Sequence, residues 1–468
     1  MPLLTVADPR PVHFVGIAGA GMSALAELFA RRGAVVTGCD ANPAQVDDLR
    51  RLGIDVVKGH DVAHVAGARA LVVTSAMPKD HPELVAARDA GLPVIRRAEA
   101  LAEACAGGAL VGISGTHGKT TTTVLTTEAL AAAGLAPTGV AGGRVGSWGG
   151  NLKFGGDALF VVEADEYDRS FLALTPTVAV VNNVEADHLD IYRDLDDIRG
   201  AFTEFAGRAR FVVASADDRE ANALPYAPSS EVVRFGIASP HASPDARLVA
   251  HDLRSENGGT RFTVVYDGDP LGDVALRVPG AHNVRNALAA IGAGLVLGAT
   301  LDGMRAGLEA FGGVERRFQR LGETLGVEIV DDYAHHPTEI DATLAAARAA
   351  YPDRRIVAAF QPHLYTRTRD FAGDFARALG GADLAFVTEI YPAREQPIAG
   401  VSTDLIVDAA RALGRPVAWR GDRRALAAAL ADRVASGDVV LTLGAGDVTL
   451  TGPELAAELR RRADGGGA

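Results

Sequence analysis

An α/β architecture in three consecutive domains is what the 468-residue sequence predicts, and three observations carry that expectation. Short apolar runs suited to buried strands alternate with longer stretches suited to helices along nearly the whole chain. Two glycine-bearing turns, at residues 19–24 and 115–118, lie between such a strand and such a helix. Length agrees, because at about 100 to 200 residues per domain a chain of this size makes about three.

The first segment, residues 1–107, shows a βαβ rhythm: VHFVGIA, then GMSALAELFARRG, then AVVTGCD, and later ALVVTSAM. Gly19, Gly21 and Ala24 stand in GxGxxA spacing between the first strand and its helix. Asp40 ends the next strand, close to the position of the ribose-binding acid in a dinucleotide fold. A Rossmann-like domain follows. A tight glycine turn packing strand on helix, with Asp40 solvated at a strand end, explains the same residues, so the motif alone leaves both readings open.

The second segment, 108–313, opens with the strand ALVGIS, the turn GTHGKT and the helical stretch TTTTVLTTEALAAAG, stopped at Gly134. A phosphate loop of standard spacing places its first glycine at position 113, where Ile113 stands. The other parts are present. Backbone N–H groups at a helix start face an anion in the turn, Lys119 neutralises phosphate oxygens, and the Thr120 hydroxyl suits magnesium. The competing reading is a glycine turn with an exposed lysine. ALFVVEAD and VAVVNNV supply further strands that end in polar residues. Glu163 is the candidate magnesium acid, since a hard cation takes oxygen ligands. Asp165, Glu166 and Asp168 crowd behind it and also read as a solvated acidic loop, the reading adopted for Asp168. His188, at a strand end in NNVEADHLDIY, divides between a metal ligand and a packing or capping residue. Between 229 and 273, shorter strands and the turn signals ENGG and YDGDPLGD predict an antiparallel excursion. The expectation is a P-loop ATPase-like domain with a parallel sheet and a small antiparallel sheet.

The third segment, 314–468, begins after Gly312 and Gly313 and alternates again, with VEIVDD, RRIVAAF, DLAFVTEI, PVAWRG and DVVLTLGAG as strands of a second Rossmann-like domain. Arg316 and Arg317 read either as phosphate ligands or as surface charge in a linker.

Composition narrows the setting. Hydrophobic residues make up 48% and charged residues 22%, ample for packed cores. A formal net charge of −13 disfavours nonspecific binding to nucleic acid or anionic lipid, although a small anion still suits a local positive pocket. Cys39 and Cys105 lack the paired spacing of a disulfide framework or a metal knuckle. The opening MPLLTVADPRP lacks the parts of a signal peptide, and no 18-residue apolar run occurs, so a soluble cytoplasmic protein is expected. Two phosphate-binding loops in one chain exceed what a simple dehydrogenase or ATPase needs. One ligand then serves as energy donor and the other as nucleotide-tagged substrate.

GTHGKTTTT, EADEYDRSFL, NNVEADHLDIY, PGAHNVRNALAA, GGVERRF, DDYAHHPTE and FQPHLYTRT, in this order between about residue 12 and residue 450, resemble the Mur ligase family of peptidoglycan assembly. That family's loop is the shorter G-T-x-G-K-T-T, which leaves Ile113 in the strand and assigns ATP to Gly115, Thr116, His117, Gly118, Lys119, Thr120 and Thr121. The resemblance implies ATP-driven amide formation. The lactyl carboxylate of UDP-N-acetylmuramate attacks the γ-phosphate, and the amine of L-alanine displaces phosphate from the acyl phosphate through a tetrahedral intermediate. It further implies that Lys119 holds the β/γ-phosphates, that Thr120 and Glu163 bind one Mg2+, and that Glu163 with His188 binds a second. Asn283 and Asn286 meet the adenine, while Arg317 and Asp332 approach phosphates and ribose when the domains close. Gly19, Gly21, Ser23, Asp40 and Ser75 surround the UDP moiety. Tyr333, His336 and Arg367 serve the amino acid, with Arg367 anchoring its carboxylate.

Two departures refine the resemblance. Ligases for later amino acids carry a carbamylated lysine 14 residues beyond the histidine matching His188, where this chain has Phe202, which favours the alanine-adding branch. Leu364 stands in PHLYTRT where many alanine-adding members have Arg, so the acceptor stays open among L-alanine, glycine and L-serine. A ligase that reattaches tripeptide to UDP-N-acetylmuramate shares most of these motifs. A dehydrogenase resting on GAGMSA alone and a noncatalytic nucleotide-controlled switch compete with both ligases. A monomer or weak homodimer, without nucleic-acid or membrane partners, is expected.

Overall fold

A computed structural model describes residues 3–4, 8–43, 46–74, 77–189, 191–240 and 243–465. The run VHFV at Val12–Val15 is buried throughout and forms the middle of a five-stranded sheet ordered Asp55–Lys58, Val36–Asp40, Val12–Val15, Ala70–Val73, Val94–Arg96. Every pairing in it is parallel. Parallel strands covered on both faces need nearly continuous apolar runs, and the central Val12–Val15 and Ala70–Val73 have them. Helices Ala20–Arg31 and Arg97–Cys105 cover the face of Phe14, and helix Pro82–Asp89 covers the face of Val15 and Cys39. The strand order reverses between Val12–Val15 and Ala70–Val73. In open α/β sheets such a reversal leaves a ligand crevice at the carboxyl ends of the strands.

The second sheet has ten strands: Asp269–Leu276, Gly259–Tyr266, Leu248–Glu256, Glu231–Ile237, Phe211–Ser215, Val178–Val181, Ala109–Ser114, Leu159–Glu163, Thr138–Val145 and Gly150–Lys153. The segment between 229 and 273 does not form a sheet of its own. Glu231–Ile237 pairs parallel to Phe211–Ser215, and Leu248–Glu256 pairs parallel to Glu231–Ile237. The hairpin Thr138–Val145 with Gly150–Lys153 is antiparallel. The third sheet runs Gln319–Thr324, Val327–Asp332, Asp438–Leu443, Arg355–Phe360, Leu384–Thr388, Trp419–Gly421, with its first pair antiparallel and the rest parallel. One sheet thus falls in each expected segment.

Compactness divides the chain differently. One unit comprises Met1–Asp252, Phe262–Ala275 and Val284–Phe311, and the other Leu253–Arg261, Leu276–Asn283 and Gly312–Ala468. The first unit joins the first two segments because a single apolar core runs through both. It holds Phe14 edge-on to Phe29 at 5.6 Å and Phe171 stacked on Phe205 at 4.9 Å. Phe202 is fully buried in the same core, edge-on to Phe171 at 5.2 Å. Polar ties cross the same seam, with Arg144 2.6 Å from Asp48 and Arg32 3.0 Å from Asp157. The sequence boundary near 107 separates two sheets but not two independent cores.

Phe205 packs between the second sheet and its helix Leu195–Ala206 with no exposed surface. Phe205→Ala is expected to cost about 3–5 kcal/mol, as removal of a buried aromatic does. A urea unfolding curve with an unmoved midpoint would contradict this packing.

Candidate functional site

The strand Ala109–Ser114 ends with the Ser114 hydroxyl donating to the Val180 carbonyl at 2.6 Å, which locks the two central strands where the chain turns. Gly115 has φ +138° and Gly118 φ +80°. A Cβ at Gly115 would stand 2.9 Å from the Asn182 Cβ, and one at Gly118 would stand 2.5 Å from the Asn286 Oδ1. The turn is pinned from the next strand end: Thr116 N donates to the Asn183 carbonyl at 3.2 Å, and His117 N donates to Asn183 Oδ1 at 2.7 Å. Glu185 N donates to the Thr116 hydroxyl at 2.9 Å. Helix Lys119–Ala132 then starts at Gly118 without a side-chain cap, leaving its first N–H groups directed into the turn. Thr120 and Thr121 in that first turn are buried. An uncapped helix start behind a glycine turn is an anion cradle.

Lys119 is not an exposed lysine. Its Nζ donates to the Gly115 carbonyl at 2.7 Å, the Thr116 carbonyl at 3.3 Å, and the two Glu166 oxygens at 3.0 and 2.8 Å. Burial works against its charge, yet Glu166, Asp165 and Glu163 outweigh that and raise it to about 12. Burial lifts the Glu166 carboxyl to about 7 although Lys119 pulls it back, with Asp165 adding to the rise. The Glu166 carbonyl also accepts from the buried Tyr192 hydroxyl at 2.7 Å. The sequence left Glu166 open between a site acid and a solvated acidic loop; its side chain is only 4% exposed, which excludes the solvated reading. Asp165 and Asp168 remain half-exposed, 3.9 Å from Arg97 and 3.5 Å from Arg96.

His188 has φ +54°, lies edge-on to Tyr167 at 5.1 Å, and brings Nε2 to 3.8 Å from Glu166 and 3.7 Å from Asp187. Glu163 Oε1 accepts from Gly142 N at 2.6 Å. The Glu163 carboxylate and the Thr120 hydroxyl are oxygen donors of the kind a hard divalent cation takes. Asn286 braces the loop from behind, its Oδ1 accepting from the Thr122 hydroxyl at 3.2 Å, while Asn182 Nδ2 donates to that hydroxyl at 3.0 Å. Asn182 and Asn183 went unnoticed in the sequence. Their signal was two consecutive amides at the end of the strand VAVV, beside the one that carries the loop.

In the first sheet, helix Ala20–Arg31 starts at Gly19, again without a side-chain cap. Asp40 shapes this turn, accepting from Ala18 N at 3.0 Å and from Asn42 N at 2.9 Å. Ser23 Oγ donates to the Ala20 carbonyl at 2.9 Å. A Cβ at Gly21 would lie 2.8 Å from Arg97 Nη1, so Arg97 adds a cation to this turn from 76 positions away in sequence, where no local pattern points to it. Ser75 lies outside the described residues.

Within the second unit, Asp332 accepts from Phe318 N at 2.7 Å and Ala334 N at 2.8 Å. Burial pushes its carboxyl up to about 6 against the pull of Arg317. Arg317 lies 3.6 Å from Glu339 and 5.2 Å above the Tyr333 ring. Arg316 stands 4.8 Å from that ring and donates to the Gly444 carbonyl at 2.6 Å, so the arginine pair is not loose linker charge. His336 caps helix Pro337–Ala350, its Nδ1 accepting from Thr338 N at 3.4 Å. Asn283 is buried, its Nδ2 donating to the Pro279 carbonyl at 2.8 Å. Arg367 is buried with Nη1 3.4 Å from His363 Nδ1, and the side chain of Leu364, at φ +71°, is buried as well.

A parallel sheet with a lysine-bearing anion cradle after its central strand defines a nucleotide-binding P-loop protein. Three family models match in order: Mur ligase family, catalytic domain, over residues 11–108; Mur ligase middle domain over 113–294; and Mur ligase, glutamate ligase domain, over 316–446. The chain belongs to the Mur ligase family. It is 43% identical over 455 residues to a UDP-N-acetylmuramate-L-alanine ligase of Geotalea daltonii, covering 96% of this chain and 98% of that one. Among solved structures it matches the UDP-N-acetylmuramate-alanine ligase MurC of Thermotoga maritima with a TM-score of 0.80 and 29% identity, over 97% of this chain and 99% of that one. A murein peptide ligase of Psychrobacter arcticus shares the fold at a TM-score of 0.72 and 24% identity, over 96% and 98% of the two chains.

Two outcomes follow from the cradle. Glu166 is raised from 4.5 to about 7, so the folded chain holds its proton more tightly than the unfolded chain. Its stabilising contribution is complete below pH 4.5 and is lost as pH rises through about 7. Glu166→Gln should therefore shrink the fall in urea midpoint between about pH 5 and about pH 8; an equal fall in both proteins would refute the assignment. Gly118→Ala forces a side chain onto Asn286 at a positive φ, and a loss of about 1–3 kcal/mol is expected. Thermal unfolding unchanged by that substitution would count against the described turn.

Proposed function

We infer that the chain is an ATP-dependent ligase joining L-alanine to the lactyl carboxylate of UDP-N-acetylmuramate. The observation that carries this reading is Lys119, part-buried in an anion cradle and held by Glu166, in a chain 43% identical to an L-alanine ligase over nearly its full length. A carboxylate is a poor acyl donor until one of its oxygens becomes a leaving group. Attack of that oxygen on the γ-phosphorus, with release of ADP, gives an acyl phosphate. The alanine amine then adds to the carbonyl carbon, and collapse of the tetrahedral adduct expels phosphate and leaves the amide.

For such chemistry the protein supplies positioning and charge neutralisation. Lys119 exchanges Glu166 for the β/γ-phosphates, whose charge matches the N–H groups of the cradle. Thr120, Glu163 and His188 would hold Mg2+, which supplies Lewis-acid stabilisation of phosphate oxygens when bound. We assign the uridine diphosphate to the turn of Gly19 and Gly21, with Arg97 as an added cation, the nucleotide of ATP to Asp332 and Arg317, and the alanine carboxylate to Arg367. The compartment we assign is the cytoplasm; among the described residues no helix is long and apolar enough to cross a membrane.

ADP release measured with UDP-N-acetylmuramate and a panel of L-alanine, glycine, L-serine and tripeptide tests donor and acceptor together. Turnover highest with L-alanine is expected; turnover highest with the tripeptide would transfer the assignment to a recycling ligase. Lys119→Ala should lower kcat by about 10²–10³-fold with the circular dichroism spectrum preserved. Retained turnover in that variant would remove Lys119 from the chemistry.

A further inference from the structure

The first sheet carries a second polar cluster, on the face covered by helix Pro82–Asp89, that the ligase reaction does not use. Its members come from four separate elements: His13 from strand Val12–Val15, Cys39 from strand Val36–Asp40, His64 from the turn Val62–Val65, and Glu83 from the first turn of the helix. One ligand atom of each lies within 4.8 Å of every other. His13 Nε2 is 3.4 Å from Cys39 Sγ, Cys39 Sγ is 3.2 Å from Glu83 Oε1, and His64 Nδ1 is 2.8 Å from Glu83 Oε1. With metal–nitrogen bonds of about 2.0–2.1 Å and metal–sulfur bonds of about 2.3 Å, the edges of a tetrahedral zinc site come to about 3.3–3.6 Å. Three of the cluster's edges, at 3.4, 3.2 and 2.8 Å, approach those values.

We propose that His13, Cys39, His64 and Glu83 form a structural site for a divalent zinc-type ion. Three further observations support it. Glu83 has no exposed surface, and its described hydrogen-bond and ion-pair partners include histidines, the thiol and a backbone N–H but no Lys or Arg, so its buried charge lacks a fixed counter-ion. A divalent ion bound by one thiolate, one carboxylate and two neutral imidazoles gives a site of zero net charge. The groups behind the ligands are also in place. His13 Nδ1 is 2.9 Å from the Thr37 hydroxyl, which frees Nε2 as a lone-pair donor, and Asp61 N donates to Glu83 Oε1 at 3.0 Å. Beside Glu83, 3.7 Å from its Oε2, the buried His81 Nδ1 has no hydrogen-bond partner, one more imidazole nitrogen turned toward the carboxylate than the hydrogen bonding uses.

Binding displaces the Cys39 thiol proton to solvent, one proton per ion, with no change of oxidation state. The ion ties helix and turn to the sheet directly below the Gly19 turn, since the Cys39 carbonyl accepts from Gly16 N at 2.8 Å and Ile17 N at 3.1 Å.

The test uses the full chain, stripped by a chelator and titrated with Co2+ and with Zn2+ in the presence of excess Mg2+. One ion per chain, a thiolate-to-cobalt charge-transfer band, release of one proton and a raised thermal midpoint are expected. Cys39→Ser should abolish the band and weaken Zn2+ retention at least tenfold, and His64→Asn should weaken retention as well. Alkylation of the parent chain mapped by mass spectrometry needs no variant to fold: Zn2+ should protect Cys39 at least tenfold and leave the rate at Cys105 unchanged. Absence of binding, cobalt binding without a thiolate band, or Cys39 labelled at equal rates with and without Zn2+ would overturn the site. None of these readouts depends on the ligase activity.

Discussion

The cradle depends on one buried charge pair. Lys119 and Glu166 are both nearly withdrawn from water at 2.8 Å separation. Removing two charges from water costs several kcal/mol each, and their attraction returns that only when geometry and further hydrogen bonds are good. Here the ammonium also meets two loop carbonyls, and the carboxylate sits beside a second acid. The pair sits among further acids: Asp165 and Glu163 both favour the charged lysine, and Asp165 disfavours the charged Glu166.

The rest of the first unit is arranged to hold that pair still. The loop glycines admit Asn182 and Asn286 at distances no side chain would allow, and those amides meet on the Thr122 hydroxyl. The strand bearing Ser114 is tied to its neighbour, and the neighbour supplies Asn183 to the loop backbone. Precision at Lys119 is thus assembled from main-chain hydrogen bonds on a rigid parallel sheet. That is the support a catalyst needs when its task is positioning.

Much of this was legible in the sequence. Strand runs such as VHFV and ALVGIS and the start of the helix at Lys119 were visible because local pattern and local structure coincide there. Glu166 was not, because an acid in EADEYD looks the same in water or in a core until the partner 47 positions earlier is known. Arg97 and the His13, Cys39, His64 and Glu83 cluster escaped for the same reason. Cysteine spacing detects ligands contributed by one turn, whereas these four come from different elements and meet only once the sheet is covered. In the 229–273 segment the turn signals ENGG and YDGD mark two-residue connections between neighbouring strands, which only antiparallel hairpins allow, whereas the parallel pairings of Glu231–Ile237 rest on partners distant in sequence.

Phe202 carries a consequence for physiology. A lysine that matures by capturing carbon dioxide makes an enzyme answer to dissolved bicarbonate, since the carbamate forms and falls apart with supply. Fourteen residues beyond His188 this protein has Phe202, an aromatic ring packed edge-on against Phe171. A phenyl ring has no amine, so this position cannot take up carbon dioxide.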